Sequence, residues 1–273
     1  MCIRDSYQPI HASVGHGVVA FEALLRWDHP ERGSLPPLDF IPMAEESGQM
    51  VSIGAWVIGE ACRQAVQWRN TFGVDTTMAV NVSEWQLADP SFVDIVSDAL
   101  HRTTMRPEQL VLEITEGILL HGRVDFGSVL SDLKLLGVRL SVDDFGAGYS
   151  SLAYLQQLPI DQIKVDRGFM LESIAHGDRR VMESIIRLAH DLGLEVVAEG
   201  VETQVEFEAM QASGCDVVQG FLLGRPTSAT HTEHRIREDG LHPASDNTDR
   251  TFPVDHPSRT SRISSAPEIR VVG

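Results

Sequence analysis

Cationic side chains are scarce in this 273-residue chain: 22 Lys and Arg stand against 39 Asp and Glu, for a formal charge of −17. Holding a nucleic-acid polymer requires clustered cations that displace counterions from phosphates, and no basic stripe occurs, so that class of partner is excluded. Cysteine is nearly absent. Cys2, Cys62 and Cys215 are odd in number and too far apart for a CxxC site or a disulfide framework, which fits a reducing, cytoplasmic setting. There is no run of about 18 apolar residues and no charged-then-apolar leader, so no membrane contact by this segment is expected. What remains, 42% hydrophobic and 22% charged, is the composition of a globular protein with ample core.

From Val18 to Leu222, short runs rich in Val, Ile and Leu alternate with stretches of helical period. The pattern predicts strands near 18–25, 77–82, 109–114, 138–143, 160–165, 194–198 and 216–221. Helices are expected at 54–70, 91–102, 123–136, 179–192 and 203–212; in one of them Val181, Met182, Ile185, Ile186, Ala189 and Leu192 recur at 3.6-residue spacing, and Gly193 is a natural C-cap. Strands apolar on both faces and joined by crossover helices call for a parallel sheet covered by helices, either open and doubly wound or closed into a barrel. Two ends break the pattern. Residues 1–6 supply little of what a buried strand before Tyr7 needs, and are expected to be a non-native or truncated start that damages the first strand. Residues 229–273, rich in Ser, Thr, Pro, His and Asp, are expected to form a mostly disordered tail whose His231, His234, His242 and His256 match no metal-ligand spacing. The folded unit is thus placed at 7–228.

The informative feature is where polar residues interrupt the apolar strands. Glu22 in FEALLRW, Asn81 in VNVS, Glu113 in VLEITE, Asp143 and Asp144 in SVDDFGAG, Lys164 in IKVD, Glu199 in VVAEGVE and Gln219 in VVQGF each fall in or at the end of a strand. A buried carboxylate is costly unless it is paired or bound to a cation. In a closed parallel barrel the strand ends converge on one mouth, whereas in an open sheet they spread along an edge, so the barrel is favoured. Carboxylates and a carboxamide, with no Cys or His cluster, are hard oxygen ligands suited to Mg²⁺ or Mn²⁺. The adjacent Asp143 and Asp144 suit a pair of ions, one carboxylate bridging; two ions about 3.5–4 Å apart are a clamp used in phosphoester hydrolysis. Lys164 beside them is suited to orienting or deprotonating a nucleophilic water.

The segments YQPI, EALLRW, AEESG, NVS, LEITE, DDFGAGYSSL, IKVDR, AEGVE and QGFLLGRP, spread over Tyr7 to Pro226, resemble the successive motifs of EAL-domain cyclic di-GMP phosphodiesterases. The resemblance implies a TIM-type (β/α)8 barrel with one antiparallel strand, and hydrolysis of cyclic di-GMP to linear pGpG. It implies Glu22, Asn81, Glu113 and Asp143 as ligands of one ion, and Asp143, Asp144 and Glu199 as ligands of a second. Lys164 matches the water-activating lysine, and Gln219 a glutamine that helps hold the water and the metal shell. Gln8, Leu24 and Arg26 match positions lining the substrate groove, Glu116 the anchor of the loop after Asp144, and Glu202 an outer partner of the site. The resemblance further implies a homodimer packed through the region after DDFG, and an upstream GGDEF or sensor domain missing from this chain, with a parent protein free to be membrane-anchored. Ala147 departs from the family's usual Thr, removing a hydroxyl from that loop. A degenerate family member that acts as a cyclic di-GMP receptor or interaction module is the alternative; an aldolase or sugar-phosphate hydrolase using the same metals is a third reading.

Overall fold

A computed structural model describes residues 2–15, 17–29, 31–121, 126–146, 156–175 and 180–239. In chain order the elements are β1 (Cys2–Ala12), β2 (Val18–His29), β3 (Gly33–Leu35), α1 (Pro37–Glu46), α2 (Met50–Phe72), β4 (Thr77–Asn81), α3 (Glu84–Leu87), α4 (Phe92–Thr103), β5 (Leu110–Thr115), α5 (Glu116–His121) and α6 (Gly127–Leu136). There follow β6 (Arg139–Phe145), β7 (Gln162–Val165), α7 (Arg167–Ala175), α8 (Arg180–Asp191), β8 (Glu195–Ala198), α9 (Gln204–Ser213), β9 (Val217–Gln219), β10 (Thr227–Ser228) and α10 (Ala229–Asp239). Strands β2, β4, β5, β6, β7, β8 and β9 pair in parallel, and β1 closes the circle by pairing antiparallel with both β2 and β9. The result is the TIM-type barrel with one reversed strand that the motifs imply. The short β3 and β10 add to its outside edges.

Two cores follow from the two-residue alternation of the strands. The larger lies between the barrel wall and the helices, where Trp68 of α2 packs its ring 5.0 Å from Tyr7 of β1 and 4.9 Å from Phe21 of β2. Helix α2 presents Val57, Ile58, Ala61, Ala65 and Trp68 to that seam at helical spacing and stops where Gly73 takes φ 69°. Helix α9 is started by a capping box, with Thr203 and Glu206 each serving the other's backbone N–H. The smaller core is Ile10, Ala20, Ala79, Val111, Val197 and Val217. Its members each stand two residues along the chain from Gln8, Glu22, Asn81, Glu113, Glu199 or Gln219, so they share a face with them. The barrel interior is thus apolar in its middle, and the polar set sits one layer further along the parallel strands, at the rim.

Both ends hold more regular structure than their composition suggests. β1 pairs with β2 from Cys2↔Asp28 through His11↔Val18. Ladder hydrogen bonds are made by the backbone, so an ill-suited run of side chains still extends the strand, and the cost falls on Asp5 instead. Residues 229–239, assigned to the tail, form α10, which buries Thr232 and Ile236 and lays Arg237 over the Phe72 ring at 5.2 Å. The rest of the tail, 240–273, lies outside the described residues, as do Ala147 and most of the loop expected to mediate dimerisation. Among the described residues no helix is long and apolar enough to cross a membrane.

Candidate active site at the barrel rim

Lys164, on β7, is 1% exposed and reaches four carboxylates from four different strands or strand ends. Its Nζ lies 2.5 Å from Glu199 Oε1, 2.8 Å from Glu113 Oε2, 3.4 Å from Asp143 Oδ1 and 3.8 Å from Glu22 Oε2. Glu22 is held from both sides: Asn81 Nδ2 donates to its Oε1 at 2.6 Å and Gln219 Nε2 to its Oε2 at 2.6 Å. Carboxylate oxygens of Asp143, Asp144 and Glu199 lie within 4.8 Å of one another. All eight residues singled out for chemistry in the sequence, from Glu22 to Gln219, therefore meet at one end of the barrel.

Successive residues of a strand point to opposite faces, so Asp143 and Asp144 cannot both face inward from regular backbone. The register of β6 against β7 shifts between Val142 and Phe145, and Asp144 takes φ 55°. A bulge of this kind re-aims a side chain, and a non-glycine residue in the left-handed region carries strain of the sort found at functional sites. The Asp144 N–H donates to Asp143 Oδ1 at 3.0 Å, and Glu116 Oε2 accepts from the Gly146 N–H at 3.2 Å, anchoring the start of the loop.

Charge in this site is unbalanced. Five carboxylates (Glu22, Glu113, Asp143, Asp144, Glu199) face one ammonium, five minus one, leaving four negative charges when all are ionised. Burial pushes Glu113 well above the usual carboxylate range, with Lys164 opposing and Glu22, Asp143 and Glu199 adding to the rise. Burial likewise pushes Glu199 up to about 8 and raises Asp144. Burial alone would lower the Lys164 ammonium, but the carboxylates of Glu113, Glu199, Glu22 and Asp143 together outweigh it and hold it above its ordinary value. Bound cations would supply the missing positive charge. The donor set fits them: Glu113 Oε1 and Gln219 Oε1 are buried without a hydrogen-bond partner, which a cation or its bound water would supply.

Beside this centre opens a pocket of about 220 Å³ lined by Gln8, Glu22, Leu24, Glu199, Glu202 and Gln219 among others. Gln8 Nε2 donates to the Gly224 carbonyl at 3.1 Å. Arg26 is not brought to the lining; its Nη1 donates to the Leu25 carbonyl at 2.8 Å. Glu202 accepts from Arg167 Nη2 at 2.6 Å. The sequence reading missed Asp166, Arg167 and Phe221, which also line the pocket. Asp166 and Arg167 follow Lys164 within IKVDR, and that adjacency was the signal available. The lining also depends on Gly220, where an added Cβ would stand 2.0 Å from the Val201 carbonyl oxygen and 2.3 Å from its nitrogen. Backbone cannot yield as a side-chain tip does, so Gly220→Ala is expected to cost about 3 kcal/mol of stability or more, read as a lowered midpoint in chemical denaturation; an unchanged midpoint would contradict this packing.

A closed barrel of parallel strands with one reversed member, bearing acidic, amide and lysine side chains at one rim, defines the class as a TIM-type barrel with a cation-ready site. Residues 4–226 match the family described as EAL domain, and the chain belongs to that family. It is 44% identical over 225 residues to the bifunctional diguanylate cyclase/cyclic di-GMP phosphodiesterase MucR of Pseudomonas aeruginosa, covering 82% of this chain and 33% of that protein. It is 40% identical over 232 residues to the cyclic di-GMP phosphodiesterase NbdA of the same organism, covering 85% of this chain and 30% of that one. The chain thus spans about a third of the length of these relatives. Among solved structures, the PaMucR phosphodiesterase in complex with c-di-GMP superposes with a TM-score of 0.78 at 42% identity, covering 84% of this chain and 94% of that one.

Proposed function

We propose that this chain hydrolyses cyclic di-GMP to linear pGpG with the help of two divalent cations, Mg²⁺ or Mn²⁺. The observation that carries the reading is the buried Lys164 ringed by Glu22, Glu113, Asp143 and Glu199, of which Glu22 and Glu199 line an open pocket. The names of the relatives and the c-di-GMP complex of PaMucR support the choice of substrate. Glu22, Asn81, Glu113 and Asp143 would hold one ion, and Asp143, Asp144 and Glu199 the other. When bound, such ions polarise the phosphoryl oxygen and acidify water.

The protein's own groups do the positioning. Lys164 Nζ donates to the attacking water and aims its lone pair at phosphorus. Gln219, with Nε2 committed to Glu22, offers Oε1 to the same water. Asn81 and Gln219 together fix the Glu22 carboxylate, so that its oxygens need not reorganise during the reaction. Gln8 and Leu24 line the substrate side of the pocket, and Glu116 steadies the turn that carries Asp144. The water oxygen bonds to phosphorus, the P–O3′ bond breaks, and the leaving oxygen takes a proton, giving one 5′-phosphate and one free 3′-hydroxyl. The proposal extends to a cytoplasmic homodimer controlled by an upstream domain.

The test is a product assay. Protein with Mg²⁺ or Mn²⁺ is expected to convert cyclic di-GMP to pGpG, EDTA to stop it, and Glu22→Ala to slow it about a thousandfold. Full turnover in EDTA would sink the metal mechanism, and tight binding without turnover would assign the chain to the receptor reading instead.

A further inference from the structure

Resting on the proposed substrate, we infer that Arg167 is a substrate-positioning residue that grips the phosphate not being hydrolysed. Cyclic di-GMP carries two phosphates, each with one negative charge. The cations at the rim would neutralise only the one under attack. The pocket in front of them is otherwise hostile to an anion, because Glu22, Asp166, Glu199 and Glu202 all line it. Arg167 is the one cationic side chain of that lining among the described residues. Arg26, the arginine expected from the motif to meet phosphate, is not part of it.

Three features of Arg167 fit this task. Its stem is pre-set: Gly200, at φ 67°, leaves room for the arginine chain to lie across it, and a Cβ there would stand 2.7 Å from Arg167 Cδ and 2.8 Å from its Cβ. Its guanidinium is steered from one side, with Nη2 at 2.6 Å from Glu202 Oε2 and 3.8 Å from Glu206 Oε1. Its Nε–H is buried and has no hydrogen-bond partner. A guanidinium presents donors in a rigid fork that matches phosphate oxygens two at a time. Glu202 takes Nη2 and leaves Nε without a partner. Glu206 is itself committed to the capping box of α9, accepting from the Glu202 and Thr203 N–H groups, so the acidic partner that steers Arg167 stands on a fixed helix start. Lys164 stands on β7 and Arg167 opens α7 three residues later, so that one would face the reacting phosphate and the other the distal one.

The measurement compares two phosphodiesters. Bis(4-nitrophenyl) phosphate carries a single phosphate and has nothing for a distal grip to hold. In Arg167→Gln, the ratio of kcat/KM for cyclic di-GMP to kcat/KM for bis(4-nitrophenyl) phosphate is expected to fall about tenfold, through KM for the dinucleotide, and to recover in part in Arg167→Lys. Equal losses on both substrates would show that Arg167 only holds up the fold, and an unchanged ratio would show that it touches nothing; either overturns the inference. Calorimetric titration of cyclic di-GMP into the same proteins separates this from the function itself. Should the wild type bind but not hydrolyse, the phosphodiesterase reading fails, while a tenfold higher Kd in Arg167→Gln would still uphold the grip and an equal Kd would reject it. A wild type that neither binds nor hydrolyses cyclic di-GMP overturns both.

Discussion

Replacing Lys164 with Met is expected to cut turnover of cyclic di-GMP about a thousandfold and, without divalent cation, to lower the melting temperature by about 10 °C. The two effects share one cause. Lys164 is the positive charge among four buried or half-buried carboxylates, two of them within 2.8 Å. Deleting one partner of such a set leaves uncompensated charge and costs about 3–5 kcal/mol. Methionine keeps the length and bulk of the side chain, so the loss reads charge and not a void. If the proposed site is right, added Mg²⁺ or Mn²⁺ would bring positive charge to the same carboxylates and stabilise by about 2.7 kcal/mol at a hundredfold excess over Kd. The variant's melting temperature is therefore expected to climb with cation toward that of the wild type while its turnover stays lost, since no other described donor replaces Nζ at the attacking water. Thermal melts at several cation concentrations, beside the product assay, check both halves. A variant as stable as the wild type in EDTA would remove the electrostatic account of the site, and one retaining a tenth of the turnover would remove Lys164 from the mechanism.

The site was legible because its chemistry is costly. A carboxylate or ammonium inside a Val- and Ile-rich strand has few innocent explanations, so Glu22, Glu113, Asp143, Lys164 and Glu199 announced themselves along with the seven parallel strands that carry them. Details set by backbone geometry were not legible. That Asp143 and Asp144 face one rim depends on a bulge and a left-handed φ, and aspartate, though enriched among non-glycine residues in that region, does not single the position out. Helix α1 was passed over because Pro36, Pro37 and Pro42 look like breakers; in place, Pro37 opens the helix, where a missing N–H costs nothing. Helix α10 was lost for the opposite reason. Its few apolar residues look too sparse to hold a helix, yet Ile236 finds the barrel's outer core, and Gln64 and Gln67 of α2 both donate to Glu233 Oε1. Arg167 was overlooked because an exposed-looking arginine after a strand is ordinary, and its neighbours Gly200 and Glu202 lie more than thirty residues away in sequence.

Asp5 is where the unpromising opening residues leave their mark, and Asp5→Leu is expected to stabilise the protein by up to about 4 kcal/mol at pH 8. Asp5 stands two residues from Tyr7 on β1 and opposite Leu25 of β2, so its carboxyl enters the apolar seam between the barrel wall and α2. It is 7% exposed, and neither oxygen has a hydrogen-bond partner. Burial pushes this carboxyl up from 3.8 to about 7, with the nearby Glu60 charge adding and Arg26 opposing. The sign follows from proton uptake. Between pH 4 and 7 the folded chain keeps the Asp5 proton that the unfolded chain releases, so folding loses stability as pH rises through that window. Below pH 4 both states are protonated and the penalty vanishes; above pH 7 it is complete and constant. Leucine fills the same space with apolar surface and carries no charge, so its advantage over the wild type should be largest at pH 8 and shrink steadily toward pH 4. Asn, which is neutral but still unpartnered, should show less gain. Urea denaturation of the wild type and Asp5→Leu at intervals from pH 4 to pH 8 decides the matter: a gain that does not vary with pH would mean that burial of charge is not what Asp5 costs this fold.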